Sequence, residues 1–386
     1  MTSLRFQTLL FAAIRIIINT MHRMVYPFLP TFSRSLGVDI ATLSGALANR
    51  SLAGGLGPIF ATVADRHGRK IGMLLGMALF IGGIAVVIVW PSYPGFVILL
   101  ILAALSKSCF DPSMQAYLGD RIPYQRRGRA LAVTELGWSL SFIIGIPLMS
   151  VLISRWGWQS PFLALGLLGI VSVAALIWAI PGDSDPAAEK PKVWQNFRRV
   201  FSYPPALAGL GVGLLSTVAN ETVNLVFGVW LEDAFGLKIL ALGGTAAVIG
   251  VAELGGETLV GTLVDRLGKV RAVSIGLITN CVVSAFFPLV GDNLVAAVVV
   301  LFLFYITFEF TLVSSIPMMT EILPSARATM MAFNVTVLSL GRAVGALVAP
   351  SLFAWGIGAS AGATILFNLF AVLMLRAVRK AIPTTM

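Results

Sequence analysis

Twelve long apolar runs, separated by short charged turns, dominate this chain: about 4–29, 41–64, 71–90, 95–119, 130–153, 160–180, 205–231, 240–264, 271–290, 294–320, 329–353 and 358–378. A helix needs about 20 apolar residues to cross a bilayer, so each run is long enough to span one. The predicted fold class is an all-α membrane protein with twelve transmembrane helices. Charged residues make up 11% of the chain, against about 25% in soluble domains. That deficit excludes a soluble enzyme core, a disordered chain and a disulfide scaffold.

The net charge of +10 raises the possibility of a nucleic-acid partner. No basic stretch, however, has the folded context of a groove or phosphate reader, so nucleic acid is not an expected partner. The cations report topology instead. With the N-terminus inside, one set of turns and tails holds 19 of the 27 Lys and Arg residues, among them Arg5, Arg69, Lys70, Arg126, Arg127, Arg129, Arg327 and Arg379. The opposite set holds Arg34, Arg155 and Lys238. Because Lys and Arg are retained on the cytoplasmic side, both termini are expected there, in a multi-pass protein of the cell (inner) membrane. Arg15 interrupts the first run, which argues against a cleaved signal peptide. Cys109 and Cys281 lie inside apolar runs and read as small hydrophobes. No second His or Cys stands at ligand spacing from His22, so neither a metal nor a cofactor is expected.

The longest hydrophilic interruption separates six runs from six. It predicts an N-terminal bundle over 1–180, a cytoplasmic linker over 181–204 and a C-terminal bundle over 205–386. An internal repeat agrees. Ala61-Thr-Val-Ala-Asp65-Arg66-His-Gly68-Arg69-Lys70 follows the second run, and Gly261-Thr-Leu-Val-Asp265-Arg266-Leu-Gly268-Lys269-Val-Arg271 follows the eighth, 200 residues later. Gly68 and Gly268 suit a tight turn because they carry no Cβ.

These two segments resemble the G-x-L-x-D-R-x-G-R/K-R/K signature of the major facilitator superfamily, in particular its bacterial twelve-helix type with drug and solute efflux members. The resemblance implies two pseudo-symmetric six-helix bundles, a known transporter plan. It also implies a conformational latch on the inner side, in which Asp65 and Asp265 meet the positive end of a helix in the opposite half. Arg66 and Arg266 belong to the same motif. Arg69 would pair with Asp120, and Lys269 with Glu321. Ala61 stands where the family has Gly, and Val270 where it has a basic residue. The fifth run carries only Gly137, Gly145 and Pro147 of the antiporter motif, and the sugar-porter sequence after the sixth run is absent.

An ion inside a span is costly unless it faces protein, water or a partner, so each is a functional candidate. In the resembled family, runs 1, 4, 7 and 10 line the central cavity, and all four are polar here. The first carries Arg15, Asn19, His22, Arg23 and Tyr26 on one helical stripe, and the fourth carries Lys107 and Asp111. The seventh carries Asn220, Glu221 and Asn224, and the tenth Tyr305 and Glu309. At 1.5 Å per residue, Glu309 lies about 18 Å from Glu321 and Lys107 about 20 Å from Asp120, near mid-membrane. These residues are the candidate solute contacts. Glu253 and Glu257 stand one turn apart on the eighth run, where mutual repulsion favours holding a proton. Asp111, Glu221, Glu253, Glu257 and Glu309 are therefore the candidate proton-coupling groups. Fixed ion pairs such as Lys107 with Asp111 are the competing reading.

The function expected is alternating-access transport of a small amphipathic or zwitterionic solute, as proton-coupled efflux by a monomer. Uptake, lipid flipping and a non-transporting membrane receptor are the alternatives. No nucleophile and base set points to an enzyme.

Overall fold

A computed structural model describes residues 3–57, 68–182 and 198–381. Among these residues there is no strand, and fifteen α-helices carry the fold. In chain order they are α1 Leu4–Arg23, α2 Leu29–Leu36, α3 Ile40–Gly55, α4 Arg69–Val89, α5 Tyr93–Arg121, α6 Tyr124–Leu140, α7 Ile146–Trp156 and α8 Ser160–Ala179. Then follow α9 Pro204–Asn224, α10 Phe227–Phe235, α11 Ile239–Leu267, α12 Lys269–Ser284, α13 Leu294–Ile322, α14 Arg327–Phe353 and α15 Ile357–Ala381. Eleven helical stretches among the described residues are long and apolar enough to cross a membrane. The second predicted run is represented by α3, and its residues 58–64 lie outside the described residues.

The chain divides into two compact units: Met1–Glu189 with Lys238–Gly250, and Lys190–Leu237 with Val251–Met386. The internal repeat persists in the backbone. Gly37, Gly68 and Gly157 have positive φ, and so do Gly236, Gly268 and Gly356, which lie 199, 200 and 199 residues further on. Gly68 and Gly268 immediately precede α4 and α12, where φ values of 99° and 83° suit only glycine.

Two predicted runs are broken helices. The first was expected to be continuous over 4–29, but α1 stops at Arg23 and α2 begins at Leu29. Pro27 is the cause, since it has no N–H and its ring clashes with the carbonyl of Arg23 four residues earlier. The seventh, expected over 205–231, breaks after Asn224 and continues as α10 to Phe235. Asn224 and Gly228, both weak helix formers, flank this break. The fifth run is interrupted by a π turn, Ser141–Gly145, just before Pro147, which has no donor for the preceding turn.

In lipid, apolar helices gain little hydrophobic energy by associating, so close approach through small residues carries the packing. In unit 1, a Cβ on Gly76 of α4 would lie 2.9 Å from Ser106 O of α5. In unit 2, Gly276 of α12 packs on Thr311 and Phe310 of α13, 200 residues on from Gly76 and Phe110. Gly137 and Gly145 seat the fifth run on α1 against Arg15 and Thr20, while Gly341 and Gly345 seat α14 on α9 against Thr217 and Glu221. The same helix pairs are thus closed by glycine in both units, directly beside the ions.

Candidate functional site

Arg15 is the centre of the polar cluster in unit 1. It comes from α1, is 4% exposed, and lies where a Cβ on Gly137 of α6 would stand 2.8 Å from its own Cβ. Its Nη1 lies 2.8 Å from Glu135 Oε1 and donates to Thr134 O at 2.8 Å. Its Nε lies 3.3 Å from Asp111 Oδ1. Lys107 Nζ donates to Asp111 Oδ2 and to Asn19 Oδ1, both at 2.7 Å. Two cations and two carboxylates from α1, α5 and α6 therefore form a neutral chain of ion pairs, Glu135–Arg15–Asp111–Lys107. The Lys107–Asp111 pair is local, four residues apart, whereas both partners of Arg15 are distant in sequence.

The remaining cations of this region lie on aromatic faces and carbonyls. The Arg23 guanidinium stands 3.5 Å above the Phe142 ring and 4.1 Å above Trp138, and donates to Trp138 O at 3.0 Å. Arg50 of α3 is 1% exposed; it donates to His22 O at 2.6 Å and to Tyr26 Oη at 2.7 Å. His22 is in the last turn of α1, so Arg50 satisfies a carbonyl freed by the Pro27 break and complements the negative helix end. Tyr26 consequently sits in the break, past the helical stripe expected of it.

In unit 2, Asn224 ends α9 and joins two other candidates. Its Nδ2 donates to Glu221 Oε2 at 3.1 Å, and its Oδ1 accepts from Tyr305 Oη at 2.7 Å. Tyr305 is held edge-on by Phe227 and Phe304. Glu309 is buried on α13, where its Cβ would be 2.8 Å from a Cβ on Gly256 of α11. Glu253 is buried on the same helix and Glu257 is half-buried one turn on.

Asn19 and Asn220 stand 201 residues apart on α1 and α9, the first long helices of the two units. Both are buried, and the Nδ2 of each lacks a hydrogen-bond partner. An unsatisfied buried donor is expensive and calls for an explanation.

Of the motif residues, Asp65 and Arg66 lie outside the described residues. Arg69 Nε lies 3.3 Å from Asp120 Oδ2, and Lys269 Nζ pairs with Glu321 Oε1. Asp265 and Arg266 are exposed at the end of α11. Sequence reasoning did not include Glu135, Trp138 or Arg50 among the site residues. Glu135 and Trp138 lie three apart on one face of an otherwise apolar run, and that spacing was the available signal.

Apolar helices in two repeat-related units, with ions buried mid-span, define a multi-pass helical membrane protein. The family profile of the Major Facilitator Superfamily matches residues 11–346 and 210–384. The MFS-type transporter YbcL of Bacillus subtilis (strain 168) is 23% identical over 335 residues, covering 84% of this chain and 85% of that one. The chloramphenicol resistance protein of Streptomyces lividans is 25% identical over 252 residues, 64% of each chain. Among solved structures, a bacterial homolog to the human lysosomal transporter Spinster superposes with a TM-score of 0.82 at 16% identity over 99% of both chains. The chain belongs to the Major Facilitator Superfamily and has its transporter fold.

Proposed function

We propose that this transporter moves a small amphipathic or zwitterionic organic solute by alternating access and exports it in exchange for protons. Asn19 and Asn220 carry the reading. Two buried amide donors with no partner, at the same position of each repeat, offer ready hydrogen bonds to a bound solute. To the solute site we assign, with Asn19, Arg15, His22, Arg23, Tyr26, Lys107 and Asp111, and, with Asn220, Glu221, Asn224, Tyr305 and Glu309. Among the described residues the buried charged ones are Arg15, Arg23 and Arg50 in unit 1 and Glu221, Glu253 and Glu309 in unit 2, which suits a solute bearing both charges or a polar head on an apolar body. The resistance function named for the Streptomyces lividans relative favours efflux.

The proton is assigned to one or more of Asp111, Glu221, Glu253, Glu257 and Glu309. The working chain is a monomer with both termini cytoplasmic. The bundles are 1–180 and 205–386, joined by the 181–204 linker, and the latch comprises Asp65, Arg66, Gly68, Arg69 and Asp120 with Asp265, Arg266, Gly268, Lys269 and Glu321.

Proteoliposomes loaded with chloramphenicol, or with a zwitterionic amphiphile, test both parts. Efflux of at least one probe should accelerate under an imposed pH gradient, and at least one of the five Asp→Asn or Glu→Gln variants should lose that acceleration. Flux indifferent to the gradient in wild type and all variants removes the proton; binding without flux removes transport.

A further inference from the structure

The inner ends of α1 and α6 leave between them a groove of about 1110 Å³, lined wholly from unit 1. Its charged lining is three arginines, Arg5, Arg126 and Arg129, all exposed, and none is in an ion pair among the described residues. The neighbouring Arg127, by contrast, is engaged: its Nε donates to Ile122 O at 2.8 Å. Beyond the guanidiniums the walls are mostly apolar, with Leu4 and Leu9 from α1 and Val133 from α6, and Ser3 and Thr8 are the uncharged polar residues among them.

The order of these residues along the helices selects the ligand. Leu9 lies four residues into α1 from Arg5, about 6 Å, and Val133 seven residues into α6 from Arg126, about 10 Å. Positive charge therefore lines the helix ends, at the level of lipid headgroups, and apolar wall extends toward the hydrocarbon. A free phosphate would satisfy the arginines and leave the apolar walls wet. A neutral lipid would cover the walls and leave three cations unanswered. An anionic headgroup on acyl chains satisfies both.

We propose that this groove is a binding site for an acidic phospholipid, with its phosphate among Arg5, Arg126 and Arg129 and its upper acyl carbons against Leu9 and Val133. The site is independent of the solute carried. Its consequence is local: α1 and α6 are also the helices that bring Arg15 to Glu135, so an occupied groove braces the contact on which the ion cluster depends.

The full-length protein in neutral detergent, melted with added phosphatidylglycerol, phosphatidylcholine or inorganic phosphate, tests the site. Phosphatidylglycerol should raise the melting temperature by several degrees more than phosphatidylcholine, and inorganic phosphate should do nothing. The R5Q/R126Q/R129Q variant should lose that preference. The R5K/R126K/R129K variant, and R376Q/R379Q at the exposed end of α15, should keep it. If the triple Gln variant does not fold, R126Q and R129Q singly should each reduce the preference. Retention of the full preference by the Gln variants, or equal stabilisation by either of the other additives, overturns the proposal.

Discussion

Arg15 Nη1 lies 2.8 Å from Glu135 Oε1, an ion pair that joins α1 to α6 across 120 residues of sequence. Removing the cation leaves Asp111, which is mostly buried, with Lys107 as its one remaining cation, while Glu135 is 46% exposed and can be rehydrated. Losing one partner of a buried pair costs about 3–5 kcal/mol, whereas a half-exposed partner is screened and contributes under about 1 kcal/mol. Arg15→Met should therefore lower the melting temperature strongly and Glu135→Gln only slightly. Equal effects in thermal unfolding would mean that Asp111 does not depend on Arg15.

Gly345 meets α9 where an added Cβ would lie 2.5 Å from Glu221 Cβ. Gly345→Ala should separate α14 from α9, with loss of stability in the range of about 1–3 kcal/mol typical of overpacking. Gly362 of α15 has nothing within 4 Å of an added Cβ. Gly362→Ala should be neutral or slightly stabilising through helix propensity. Melting curves of the two variants, side by side, provide the comparison.

Asn220 separates a binding role from a structural one. If its unpartnered amide serves a solute, Asn220→Leu should raise the melting temperature, because an unsatisfied buried donor is removed, while transport falls. A variant that is less stable and transports normally would assign Asn220 to the scaffold.

Asp39 lies in the turn between α2 and α3 and caps α3, with Thr42 N donating to its Oδ1 at 2.7 Å. Hydrogen bonds from the Thr42 side chain and backbone hold its carboxyl below the ordinary value of 3.8. A depressed folded value means that the stabilisation is complete above the unfolded pKa and is lost as pH falls through the folded one. Asp39→Ala should thus be less stable than wild type at neutral pH, and the gap should narrow as the pH falls below the ordinary carboxylate range. A gap unchanged between the two conditions would leave the cap without an electrostatic component.

The pairs Arg69 with Asp120 and Lys269 with Glu321 occupy equivalent places in the two units. Such partly exposed pairs contribute under about 1 kcal/mol each to stability. If they belong to a latch, Glu321→Gln should change the transport rate much more than the melting temperature. Lys269→Glu with Glu321→Lys should restore the rate if pairing alone matters.

Much of the membrane architecture was legible in the chain itself. Run lengths located the spans, and the 200-residue offset of Asp65 and Asp265 announced a repeat that reappears as paired positive-φ glycines. The positions after Gly68 and Gly268 that pair with Asp120 and Glu321 were also readable, but only through a recurring motif. The broken helices were less so. Pro27 was visible in the sequence, yet hydropathy continued through it and favoured one unbroken run. At Asn224 no proline marks the break.

What sequence determined here is whatever depends on neighbours along the chain: the long apolar spans, the helix stop at Pro27 and the i, i+4 pairing of Lys107 with Asp111. Which carboxylates hold Arg15, which carbonyl Arg50 caps and which glycines let helices touch were decided only in three dimensions. Helical period gives a residue's face but not the partner opposite, and in lipid that partner is set by close packing and charge compensation between segments more than a hundred residues apart.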